Sequence, residues 1–125
     1  MKKKHKIETH LVQIFTEEYK VQVVIGEPEA LIKYGAKYTT YSPKTVEKNM
    51  RGNRGFSYNM FPDKNPLILV DSNLKMWTGL ATLAHEAAHA VDYIADHIGI
   101  KDENGEFRAH GISSIIRAVG RKKKS

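Results

Sequence analysis

LILVDSNLKMWTGLATLAHEAAHAVDYIADHIG, residues 67–99, contains the change of pattern on which the fold turns. Leu67-Ile68-Leu69-Val70 is an apolar run of strand length. From Leu74 the period becomes 3.6, with Trp77, Leu80, Ala84, Ala87, Ala88, Val91, Ile94 and Ile98 on one face, and this predicts a long amphipathic helix. Ser72 or Asn73 can cap it and Gly99 can end it. A second helix is expected from Asp102–Gly105 to about Val119, with Ile112, Ile115, Ile116 and Val119 facing inward.

Working back from that stretch, Gly55–Met60 and Leu67–Val70 read as two strands around the turn formers of Phe61–Pro66. Thr9–Phe15 alternates loosely, Thr16-Glu17-Glu18 breaks the pattern, and β-branched Lys20–Ile25 reads as a strand ended by Gly26. Pro28 suits the first turn of a short helix through Lys33, with Gly35 as its stop. Polar Ala36–Arg54 is expected to be a loop with one helical turn around Pro43–Lys48. Strands first and two long helices after them predict an α+β domain, a short sheet followed by two packed helices.

The 125 residues suit one domain, 1–125, with an ordinary share of apolar residues. No apolar run approaches the length of a bilayer span, and no apolar segment follows the basic N-terminus as a signal peptide requires. A cytoplasmic protein without a membrane partner is therefore expected. The net charge of +6 is concentrated at the ends, in Lys2, Lys3, Lys4 and Lys6 of an N-terminal tail (1–6) and Arg121, Lys122, Lys123 and Lys124 of a C-terminal tail (121–125). Between the tails the 14 carboxylates outnumber the cations, so nucleic acid is a partner only through the tails and is not favoured.

The chain has no cysteine, so any metal must be held by His, Asp or Glu. His85-Glu86-Ala87-Ala88-His89 is an HExxH pattern within the predicted helix. Residues four apart share a helix face, so two imidazoles can converge on one ion at ~2.1 Å. Glu86 beside them suits a general base for a water activated by zinc. The chain's own His and Glu frequencies would yield roughly 0.02 such patterns by chance. A third ligand is needed, and Asp92, Asp96, His97, Asp102, Glu103, Glu106 and His110 lie downstream. Asp92 and Asp96 are better placed to orient a histidine, and Asp102 and Glu103 to favour the start of the second helix. Glu106 and His110 share one face of that helix.

The segment Leu83–Asp92, then Gly99-Ile100, then Glu106-Phe107-Arg108-Ala109-His110, resembles the small zincin metallopeptidases encoded by phages and integrated elements, with a gluzincin-like HExxH…E arrangement. That resemblance implies a zinc ion held by His85, His89 and Glu106, and, for a phage-encoded chain, the host cytoplasm. His110 stands where the family usually has a tyrosine, and implies either a donor to the oxyanion or, with Gly111 as in SprT-like proteases, a ligand in place of Glu106. The expected function is hydrolysis of a peptide or amide bond in a peptide or protein substrate, with Glu86 and His110 as catalytic residues. Leu67–Val70 is expected to be the edge along which substrate lies. The alternatives are a non-catalytic zinc-stabilised interaction module and a SprT-like protease associated with nucleic acid.

Overall fold

The computed structural model describes residues 7–74, 76–103 and 105–123, the side chains of Glu17 and of residues 121–123 excepted. The N-terminal tail therefore lies outside the described residues. Strands β1 (Ile7–Ile14) and β2 (Thr16–Gly26) form a hairpin, followed by helices α1 (Pro28–Thr39) and α2 (Pro43–Met50). Strands β3 (Gly55–Tyr58) and β4 (Leu67–Asp71) come next, then α3 (Met76–Ile98) and α4 (Glu106–Lys123). The result is a small α+β fold with a four-stranded mixed sheet in the order β1-β2-β4-β3, in which only β2 and β4 run parallel.

Strand alternation divides the core into two layers. Val21, Val23, Ile68 and Val70 pack with Leu83, Ala87, Val91, Ile94, Ile115 and Val119 of α3 and α4. Val24, Leu67 and Leu69 pack with Leu31 of α1 and with Val46 and Met50 of α2. Each residue of Leu67–Val70 is buried, which identifies β4 as an internal strand covered on both faces. The expectation that this run is an open edge is corrected: β3 is the edge strand on that side of the sheet.

Four helix expectations also change. α1 continues through Gly35 to Thr39, because Gly35 is a packing residue and not a stop. A Cβ there would lie 2.9 Å from Val46 Cγ1 and 3.2 Å from Leu69 Cδ1, so glycine is what lets α1 approach α2 and the sheet. α2 fills much of the expected loop, capped by the Ser42 hydroxyl, which accepts from the Thr45 N–H, with Pro43 in the first turn. On α3 the buried row is Leu83, Ala87, Ala90, Val91 and Ile94, whereas Trp77 is 79% exposed. α4 runs past Val119 to Lys123, so part of the expected C-terminal tail is helical.

Two tyrosines of the α1–α2 layer carry a pH prediction. Burial pushes the phenols of Tyr38 and Tyr58 above the usual tyrosine value of 10.0, reinforced by Tyr34 and Tyr41 respectively; the Asn49 amide, donating to Tyr58, acts in the opposite direction. A group whose folded pKa is raised contributes stability below its unfolded pKa and loses it as pH rises through the folded one. Denaturation midpoints should therefore fall above about pH 10. Tyr38→Phe should make that alkaline fall shallower, which midpoints measured across the pH range will check.

A candidate His–Glu cleft between α3 and β3

α3 crosses the sheet beside β3, and a cleft of about 310 Å³ lies between them. Its walls are Asn53, Gly55, Phe56 and Ser57 on the strand side and His85, Glu86, His89 and Tyr93 on the helix. The close approach depends on Gly55: a Cβ there would lie 2.7 Å from Thr82 Cγ2 and 3.2 Å from Glu86 Cγ.

Within the cleft the imidazoles of His85 and His89 meet nearly edge to face, with their Nε2 atoms 3.3 Å apart. At that separation one ring can donate to the other. The same geometry suits a shared cation: two nitrogens 3.3 Å apart, each ~2.1 Å from one ion, subtend about 105°, near the tetrahedral angle of four-coordinate zinc. Both rings are exposed, whereas Glu86 is 8% exposed and its Oε1 accepts a hydrogen bond from the buried Ser57 hydroxyl at 2.9 Å. Glu86 is thus a carboxylate fixed by the edge strand, with its side chain on the cleft wall.

The other expected site residues lie elsewhere. Glu106 is the exposed first residue of α4, and His110 stacks on Phe15 with ring centroids 4.4 Å apart. The cause is the side of α3 on which α4 docks. Gly111 sits against Val91, where a Cβ would come within 2.5 Å of Val91 Cγ2. Val91 points about 200° around the helix from His89, so α4 packs on the face turned away from the histidine pair. Phe107, also stacked on Phe15, and the contacts between α4 and β1 hold the start of α4 toward the opposite edge of the sheet.

Two of the downstream acids contact α4. Asp92 pairs with Arg108 at 2.8 Å, bracing α3 against α4. Asp102 accepts from the backbone N–H groups of Phe107 and Arg108, which gives the start of α4 its cap. Among the described residues no group of three or more His, Cys, Asp or Glu side chains is placed to hold a metal ion.

Ser57, Asn53 and Tyr93 join the cleft without having been singled out in the sequence. Tyr93 continues the His85–His89 row by one more turn, a spacing readable in advance. Ser57 reaches the site through the pairing of β3 with β4, and Asn53 through the turn that follows α2, neither of which leaves a local signal of the site.

Compared with family models, curated proteins and solved structures, the chain has no significant match in any of the three. The resemblance to phage-type zincins is corrected accordingly. No family or homologous sequence supports it, and the three-ligand metal group it implies is not formed among the described residues.

Proposed function

We propose that the α3–β3 cleft hydrolyses a peptide or amide bond, with His85 and His89 holding a zinc ion and Glu86 moving the proton. The observation supporting this reading is the 3.3 Å separation of the two Nε2 atoms beside a carboxylate anchored by Ser57. Zinc bound there would supply Lewis acidity, making a water more acidic and a carbonyl more electrophilic. Ser57 engages Oε1 of Glu86, so Oε2 is the atom that takes the proton from the attacking water and returns it to the leaving amine. β3, as the edge strand, offers an extended substrate backbone hydrogen-bonding groups alongside the cleft.

One observation favours a second reading. Two imidazoles with no third ligand converging on them among the described residues suit weak metal binding, and a cleft of that kind serves a non-catalytic interaction module. Equilibrium dialysis against zinc separates the two. About one zinc per chain is expected, lost in His85→Ala and in His89→Ala, together with cleavage of members of a broad peptide library. Unchanged zinc in both variants overturns the ligand assignment. Zinc bound through the pair, with no peptide cleaved, selects the second reading.

A further inference from the structure

The turn that leads from α2 into β3 delivers two wall residues of the His–Glu cleft, Asn53 and Gly55, and sets Arg54 between them. Arg51 and Arg54 are both exposed there. Behind them Lys44, Lys48 and Arg51 recur at i, i+4 and i+7, an exposed stripe along α2 that runs down to the turn.

Charge is concentrated in this stretch. Residues 7–120 carry 12 cations and 14 carboxylates, yet residues 44–54 hold four of those cations and one carboxylate, Glu47. Glu47 comes no closer to Arg51 than 3.9 Å, and both side chains are more than half exposed, so the pair leaves the arginine's charge facing water. Lys44, Lys48 and Arg54 have no ion-pair partner among the described residues. Asp71 lies beside Arg54 on β4, and its carboxylate accepts from the Asn73 N–H. On the helix side of the cleft Asp92 is held by Arg108, and Glu86 by Ser57.

We propose that the cleft takes an extended acidic peptide, with its carboxylates over Arg51 and Arg54. This rests on the reading of the α3–β3 cleft as a peptide site, and it names the class of peptide. Backbone groups of the β3 edge align the chain, and Ser57 with Glu86 marks the bond presented to the histidine pair. Arg54 lies three residues before Ser57, about 10 Å along an extended chain, so the matched carboxylate stands about three residues from that bond. Charge arranged in this way selects among peptides and speeds their encounter more than it adds affinity. A polynucleotide carries a phosphate at every unit and would meet the carboxylates that outnumber cations over the rest of residues 7–120; a short acidic segment matches a short basic one.

Fluorescence anisotropy of the full-length protein without added zinc, so that no bond is cut, tests the proposal with three peptides of one length. They carry Glu, Gln or Lys at the same positions. The Glu peptide is expected to bind more tightly than the Gln peptide, with the difference shrinking as salt is raised. Arg51→Gln/Arg54→Gln should weaken the Glu peptide about fivefold and leave the Gln peptide unchanged. Arg51→Glu/Arg54→Glu should move the preference to the Lys peptide. Lys33→Gln/Lys37→Gln, an equal loss of charge at exposed positions of α1, should change nothing, which separates this surface from net charge. All four side chains are exposed, and circular dichroism will confirm the fold of each variant. Arginine-dependent binding of the Glu peptide, with no peptide cleaved once zinc is added, would sink the hydrolytic reading and support this one. Three outcomes overturn the proposal: equal affinity for the Glu and Gln peptides, a Glu preference untouched by the arginine variants, or tighter arginine-dependent binding of an oligonucleotide of matching charge than of the Glu peptide.

Discussion

Glu86→Gln should abolish hydrolysis while leaving zinc content and fold unchanged. Glutamine keeps the shape of the side chain, and its Oε1 can still accept from Ser57, so the 2.9 Å bond between β3 and α3 survives. What disappears is the capacity to take a proton. Loss of a general base lowers turnover ~10² to 10⁴-fold. A rate within a few-fold of the parent protein on a verified substrate would rule out Glu86 as the base. Zinc binding measured on the same sample separates loss of chemistry from loss of metal.

The second large effect concerns stability. Gly111→Val should destabilise the protein by about 3 kcal/mol, since the added atoms are forced into a packed contact. A Cβ at that position meets Val91 Cγ2 at 2.5 Å, Cγ1 at 2.8 Å and Cβ at 3.2 Å. Val91 is fully buried and has no room to retreat. The melting temperature should drop by roughly 10 °C. Combining the change with Val91→Ala should recover part of the loss, and a double-mutant cycle will measure that coupling. Additive effects in the cycle would show that the α3–α4 contact is not what Gly111 protects.

Gly111 also shows how far the sequence could be read. His110-Gly111 resembled a metal-ligand pair, yet the glycine is there for close helix packing and the histidine for stacking on Phe15. Nothing local distinguishes these uses, because the outcome depends on which side of α3 receives α4. Features set by local chemistry were legible: Pro28 at the start of α1, and Gly99 with φ 76° after α3. The His85–Glu86–His89 row was legible for the same reason, since one helix determines it. The unbroken apolar character of Leu67–Val70 was itself a sign of burial on both faces, and the edge assignment gave it too little weight. Trp77 was misplaced because periodicity continues to the end of a helix even where the core beneath has stopped.

The way the cleft is assembled has a kinetic consequence. Every residue lining it falls between Asn53 and Tyr93, in the contiguous run β3–β4–α3. The parallel pairing of Gln22 with Leu67, by contrast, must close a long loop through α1, α2 and β3 before its contacts compensate the lost chain entropy. During folding, the hairpin of β3 and β4 and its docking on α3 involve shorter loops than the completion of the sheet. The bond from the Ser57 hydroxyl to Glu86, which joins β3 to α3, can therefore form before β2 and β4 have paired.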